Sequence, residues 1–278
     1  MKVAYLGPEA SFTHLVASKI FNGEEFFPMS TILDCFKAVK EGKVAKAVVP
    51  LENSIEGTVS MTLDYLYDTD IFIEAEVVIP IDHQLMVHPA NQAVEKIYSH
   101  PQALAQCFHF LEEHYKKAEK KEFASTAAAA KRVAENPNEP YAAVANQYAA
   151  ELYGLKIIEA KIQDVEENHT KFIVISNHKD VLELNRPPIS EKTSLIITLP
   201  DDYAGGLHQV LSVFAWRRLN LSKIESRTLK TGLGNYFFFI NIASPWHETL
   251  SENALQELRA LGVTVKFLGH YNEYLLKD

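Results

Sequence analysis

The chain has 278 residues, 47% hydrophobic and 23% charged, the composition of a globular protein with room for one large or two modest domains. The net charge of −9, with no basic run to offset it, excludes a nucleic-acid backbone as partner but leaves a small anionic ligand open. Cys35 and Cys107 sit among apolar residues at helical spacing and read as packed thiols of a reducing compartment; no Cys or His spacing suits a metal. No run approaches ~20 apolar residues, and the N-terminal apolar run is too short for a signal peptide, so the expected location is the cytoplasm with no membrane segment.

In chain order, residues 3–6 predict a buried strand, which Gly7-Pro8 breaks. Phe12, Leu15, Val16 and Ile20 then share a helical face. Ser30 is the expected cap of a helix carrying Ile32, Leu33, Phe36 and Val39 and ended by Gly42. Next, an apolar strand at 47–49 runs into Pro50 and a polar cluster: Glu52, Asn53, Ser54, Glu56, Gly57 and Thr58. A helical pattern follows at Val59, Leu63 and Leu66. This stretch reads in two ways: a turn capped by Ser54 or Thr58, or a helix start whose unpaired N–H groups hold a small anion.

Residues 71–88 predict one or two long strands, and Pro101 starts a helix through Leu104, Phe108 and Leu111. Ser125-Thr126 caps an Ala-rich helix from Ala127. Residues 141–145 predict a strand and 147–153 a short helix. Asn168-His169-Thr170-Lys171 reads as a polar loop ahead of a strand at 172–175. The alternation implies helices on largely parallel sheets, with ligands outside the carboxyl ends of the strands.

Asn185-Arg186-Pro187-Pro188 ends this pattern and marks a linker. Beyond it come a strand at 195–199 and a helix carrying Leu207, Val210, Leu211 and Phe214. A strand at 221–229, a turn at Gly232 and Gly234, a strand at 236–242, a helix at 250–261 and a strand at 263–268 follow. The order βαββαβ is ferredoxin-like. Gly205-Gly206 is either a phosphate cradle or a helix start that another group approaches closely. Glu225-Ser226-Arg227 is either an exposed charged pair or a zwitterion site, with Glu225 for an amine and Arg227 for a carboxylate. The eleven histidines, including His83, His88, His100 and His169, are scattered without a nucleophile motif.

Several segments together resemble prephenate dehydratase with a C-terminal ACT domain. In the first part they are Gly7-Pro8-Glu9 with Ser11-Phe12, the stretch Val49 to Gly57, His100-Pro101-Gln102-Ala103-Leu104, Ser125-Thr126-Ala127, and Asn168 to Phe172. In the second they are Gly205-Gly206-Leu207, Asn220-Leu221 and Ile224-Glu225-Ser226-Arg227. Four positions depart from the family's usual residues: Lys171 replaces an arginine, Ala204 a proline, Gly206 an alanine, and Thr228 a proline. Lysine keeps the charge but loses the two-pronged donor.

The resemblance implies an α/β protein with a two-lobed catalytic domain of the type II periplasmic-binding-protein kind at 1–178. One lobe is about 1–80 with 163–178, the other 81–162. A linker at 179–192 and a ferredoxin-like ACT domain at 193–278 complete it. It implies the loss of water and CO2 from prephenate, giving phenylpyruvate on the route to L-phenylalanine, without cofactor or metal. Thr170, Asn53, Ser54 and Glu52 would be catalytic, with Thr170 the donor to the leaving hydroxyl and Glu52 a proton source if burial raises its pKa. Ser11, Thr126, Lys171, Phe172 and Gly57 would bind substrate. L-Phenylalanine would act as effector at Gly205, Gly206, Leu207, Asn220, Leu221, Glu225, Ser226 and Arg227, in a homodimer through ACT domains or a homotetramer. The alternatives are arogenate dehydratase and a non-catalytic amino-acid sensor.

Overall fold

The computed structural model describes residues 1–201, 203–229 and 236–277; the turn expected at Gly232 and Gly234 lies outside them. The chain begins β1 (Lys2–Leu6), α1 (Phe12–Ile20), β2 (Glu25–Met29), α2 (Ile32–Lys40), β3 (Lys46–Asn53), β4 (Gly57–Thr58), α3 (Ser60–Asp68) and β5 (Phe72–Pro80). It then crosses into β6 (Gln84–Val87), β7 (Lys96–Ser99), α4 (Pro101–Gln106), α5 (Phe108–His114), β8 (Glu119–Glu122), α6 (Thr126–Ala134), β9 (Tyr141–Ala145), α7 (Gln147–Tyr153) and β10 (Lys156–Glu159). It returns through β11 (His169–Ser176) and continues as β12 (Ser190–Thr198), α8 (Gly206–Trp216), β13 (Leu221–Thr228), β14 (Tyr236–Ile242), α9 (Glu248–Ala260) and β15 (Thr264–Leu275).

The strands make two sheets. The larger runs β13-β14-β12-β15-β5-β11-β3-β1-β2, with β4 hydrogen-bonded to β3; the smaller runs β10-β6-β9-β7-β8. Both are mixed rather than largely parallel. β1 lies parallel to β2 and β3, but β11 enters antiparallel between β3 and β5, because the chain comes back from the smaller sheet in the opposite sense. The two crossings are tied together: Ile81 N donates to Asn168 O at 2.8 Å, and Ile162 N to His83 O at 2.9 Å.

Several boundaries differ from the expectations, each for a local reason. Thr31, not Ser30, caps α2, its Oγ1 accepting from Asp34 N. α3 starts at Ser60 after Val59, which makes no side-chain cap, because residues 57–58 pair back on β3 instead of opening the helix. Cys107 splits the expected helix after Pro101 in two. β12 begins at Ser190, inside the expected linker. The sequence reading missed β2, β7, β8 and β10; β8, Glu-Lys-Lys-Glu, is an edge strand whose charged residues carry no alternating apolar signal.

Residues 190–275 follow the order β12-α8-β13-β14-α9-β15, and their strands lie side by side as β13-β14-β12-β15. β15 is antiparallel to β12 and, at its far end, parallel to β5, pairing Asn272 with Ala75 through Leu275 with Val78. The approach is close: a Cβ on Gly269, whose φ is +149°, would sit 2.3 Å from the carbonyl oxygen of Ile73. Only glycine fits both the angle and the gap.

Where the two parts of this sheet meet, charge is buried. Lys192 Nζ lies 2.7 Å from Glu76 Oε1 and 2.6 Å from Glu273 Oε1. Burial raises the Glu76 carboxyl from 4.5 to about 7, with the Glu273 charge pushing the same way and Lys192 against. Glu273 is also desolvated, but Lys192 and Ser190 hold it below its ordinary value, so the shared proton resides on Glu76. A carboxyl raised on folding binds its proton more tightly in the native state. Its contribution is full below 4.5 and declines as pH rises to about 7. Glu76→Gln should therefore lose about 1–3 kcal/mol less stability than the parent protein between pH 5 and pH 8. Urea unfolding at the two pH values checks this; equal pH slopes in both proteins would refute it.

Candidate active site

β11 brings Thr170 opposite Asn53 of β3 on one side and Ile79 of β5 on the other. Thr170 thus lies inside a strand, not in the loop expected before one, and it is 8% exposed. The Asn53 carboxamide is oriented by backbone. Its Oδ1 accepts from Ile55 N at 2.9 Å and Glu56 N at 3.0 Å. Nδ2 must then point the other way, where it donates to Thr170 Oγ1 and Asn168 Oδ1, each at 2.8 Å.

That orientation propagates. Asn168, with its oxygen committed, offers Nδ2 to Gln106 Oε1 at 3.4 Å, and Gln106 Oε1 faces His83 Nε2 at 3.0 Å. His83 therefore carries its hydrogen on Nε2. Burial lowers its pKa and keeps the ring neutral. The Gln106 amide nitrogen and the Thr170 hydroxyl hydrogen are left without an acceptor among the described residues.

These groups line a cleft of about 460 Å³ between the two sheets. Leu6, Pro50, Asn53, Thr170 and Phe172 come from the larger sheet; His83, His100, Gln106 and Ser125 come from the smaller sheet's side. Two helices start at the cleft. Ser11 Oγ caps α1 by accepting from His14 N, and Ser125 Oγ caps α6 by accepting from Ala128 N. The first amides of each helix, on Phe12 and Thr13 and on Thr126 and Ala127, have no intrahelical acceptor and belong to lining residues. Asn146 Nδ2 donates to Ala10 O at 2.9 Å, holding the α1 end against the smaller sheet. Among the described lining residues there is no lysine or arginine, and Glu56 is the one carboxylate. What the cleft offers an anion is oriented N–H groups and helix ends rather than a lysine or arginine.

Of the residues expected at a substrate site, Asn53, Thr170, Ser11, Thr126, Phe172 and Gly57 line this cleft, Gly57 at φ +82°. Three do not. Side chains alternate along a strand, so Glu52 and Lys171, one residue from Asn53 and Thr170, emerge on the opposite face. There Lys171 Nζ and Lys223 Nζ donate to the two Glu52 oxygens at 2.9 and 2.7 Å. Burial works to raise the Glu52 pKa, but the two lysines outweigh it and hold the carboxyl below its ordinary value. Glu52 is thus no proton source, and Lys171 no cation for a ligand in the cleft. Ser54 lies behind the site. Its Oγ accepts from His169 N and its N donates to His169 O, both at 2.9 Å, stitching β3 to β11. The sequence reading missed Gln106 and Asn168 as site residues and treated His83 as scattered. Gln106 follows Gln102 at helical spacing on α4, a signal that was available. Both thiols are buried, and burial pushes them up to about 12, far from a nucleophile's range.

In the C-terminal part, Gly205 caps α8 at φ +91°, and a Cβ on Gly206 would meet Leu199 Cδ1 at 2.9 Å, as a close helix start requires. Leu207 follows on α8, while Asn220 precedes β13 and Leu221 opens it. Glu225 and Arg227 are not an open zwitterion site, because both are already paired. Glu225 accepts from Thr58 and lies 3.2 Å from Lys223, and Arg227 Nη2 donates to Asp64 Oδ1 at 2.9 Å. Ser226 projects to the exposed side.

The arrangement is that of an α/β protein with a cleft between two mixed sheets, into which a hydroxyl and an amide offer hydrogen-bond donors. Residues 3–180 match the family model described as prephenate dehydratase. The prephenate dehydratase of Bacillus subtilis (strain 168) is 46% identical over 285 aligned positions, covering 99% of this chain and 100% of the relative. The solved structure of prephenate dehydratase from Arthrobacter aurescens in complex with L-Phe superposes with a TM-score of 0.84 at 32% identity, over 98% of this chain and 90% of that one. A structure described as GqqA, a novel type of quorum quenching acylase, superposes with a TM-score of 0.85 at 26% identity, over 98% of each chain. The chain belongs to the prephenate dehydratase family and is a dehydratase, a lyase.

Asn53→Asp keeps the shape of the side chain but sets an anionic oxygen against Thr170 Oγ1, Asn168 Oδ1 and the His169 carbonyl. Stability should fall by about 1–3 kcal/mol, the cost of leaving buried polar groups unpaired. Urea unfolding measures it, and an unchanged midpoint would contradict the network described.

Proposed function

We propose that this protein converts prephenate to phenylpyruvate, CO2 and water in the cleft that holds Asn53 and Thr170. One observation carries the reading. Asn53 Nδ2, aimed by two backbone amides, donates to Thr170 Oγ1, so the threonine's own hydrogen is left to point at a ligand. In the reaction the bond from the ring to its carboxylate breaks and releases CO2. The electron pair moves through the diene, and the C–O bond to the ring hydroxyl breaks. With one proton taken up, that oxygen leaves as water. Thr170 donates to the departing oxygen as negative charge grows on it, and such a placed donor contributes about 10²- to 10⁴-fold. The Gln106 amide and the α1 and α6 helix ends hold the carboxylates. Phe172 and Pro50 offer the ring an apolar wall.

The finer architecture belongs to the same reading. Residues 1–178 form a two-lobed catalytic domain of the type II periplasmic-binding-protein kind, supported by the two crossings between the sheets. Residues 193–278 form an ACT domain, supported by the β13-β14-β12-β15 order. L-Phenylalanine regulates the enzyme at 205–207 and 220–221, with Ser226 outward beside them and a second copy of the chain completing the site. A relative solved in complex with L-Phe supports this. Because a shared fold also serves a protein described as an acylase, the chemistry rests on the cleft and not on the fold.

Formation of phenylpyruvate from prephenate, followed by its ultraviolet absorbance, tests the activity. Thr170→Ala should lower kcat by about 10²-fold or more, while Thr170→Ser, which keeps the hydroxyl, should stay within about tenfold. An alanine variant with a near-normal rate removes Thr170 from the mechanism. In the same assay L-phenylalanine should inhibit, and Gly205→Asp should weaken that inhibition without changing the uninhibited rate. Indifference of the parent enzyme to millimolar L-phenylalanine would end the regulatory part.

A further inference from the structure

β13 buries the wrong side. Along Leu221–Thr228 the covered positions include Lys223, Glu225 and Arg227, whereas Ser222, Ile224, Ser226 and Thr228 face out, Ile224 at 43% exposure. Charged side chains leave water only where partners replace it. Here each of the three has a partner on the other part of the chain, between Glu52 and Asp64, and Lys223 and Glu225 also face each other.

Lys223 is the centre of this contact, its side chain only 14% exposed. Its ammonium has three hydrogens and three acceptors: Glu52 Oε1 at 2.7 Å, Thr58 Oγ1 at 2.7 Å and Glu225 Oε2 at 3.2 Å. Glu52 and Thr58 are register partners across β3 and β4, and the next pair along is Asn53 with Gly57. The lysine thus bridges the two strands one residue from the carboxamide that aims Thr170. Thr58 in turn donates to Glu225. Arg227 continues the contact onto α3, with Nη1 and Nη2 each 2.9 Å from Ser60 Oγ and Asp64 Oδ1.

We propose that Lys223, though it belongs to the C-terminal part of the chain, is a positioning residue for the Asn53–Thr170 pair, acting through Glu52 and Thr58. The inference rests on the dehydratase reading above. Without Lys223, Glu52 keeps only Lys171 and Thr58 loses its donor. The β3–β4 pairing remains, but it loses the side-chain tie that sets its distance from β13, and a displacement near 1 Å of a catalytic group can cost up to ~10²-fold. The same contact gives the C-terminal part a mechanical hold on the cleft.

The test uses the full-length enzyme with prephenate, after thermal unfolding has shown each variant folded at the assay temperature. Lys223→Met should lower kcat about tenfold and move KM by less than about twofold, because the loss falls on the transition state. Thr58→Val, which removes the contact from the other partner, should give a similar loss. The double variant should be no worse than the poorer single one, since both break one contact. If Lys223→Met does not fold, Thr58→Val alone decides. Variants with parental kcat, or losses that multiply in the double variant, would overturn the proposal. Turnover by the parent enzyme keeps the two questions apart. If the parent does not consume prephenate, the dehydratase reading fails; if it does and the variants match it, only the role of Lys223 fails.

Discussion

Two backbone N–H groups, those of Ile55 and Glu56, decide how the cleft is wired. By holding the Asn53 oxygen they force its nitrogen toward Thr170 and Asn168. From that one choice follow the direction of the Asn168 amide, the direction of Gln106 and the tautomer of His83. A chain of side chains that each have two ways to sit is reduced to one. The ordering comes from main-chain N–H groups rather than from a ligand, so the donors are aimed before one arrives.

The second constraint is the separation of charge by strand face. At their paired ends β3 and β11 each set a cleft residue beside a charged one, so Asn53 and Thr170 face the cleft while Glu52 and Lys171 lie on the side of Lys223. The cleft is left with polar donors and helix ends, and the ion pairs are gathered behind it. An anion in such a site meets fixed dipoles rather than long flexible cations, which limits the reordering needed on binding.

Much of this was legible in the sequence because local physics wrote it there. The cap at Ser125, the strand before Pro50 and the βαββαβ order of the last part all appear in the structure. What could not be read was decided by partners distant in sequence. Thr170 looked like loop because polar residues precede Phe172, yet pairing with β3 and β5 on both sides makes it strand. Lys171 looked like a ligand cation because it adjoins Thr170; a strand's alternation turns it away. Glu225 and Arg227 looked like an exposed pair or a ligand site, and no local pattern shows that Thr58 and Asp64 meet them from 160 or more positions away. The Glu-Lys-Lys-Glu strand offered no apolar signal at all.

The union of β5 with β15 has a consequence for synthesis on the ribosome. β5 lies in the middle of the larger sheet, and the neighbour on one of its sides is made of residues 264–275, which emerge long after it. Until then β5 presents an open edge to every other nascent chain. Edges of this kind invite intermolecular pairing, and charges pointing inward along them are one guard against it. Glu74 and Glu76, whose burial is costly in the finished protein, stand on that edge in the unfinished one. Their carboxylates belong as much to the history of the chain as to its final state.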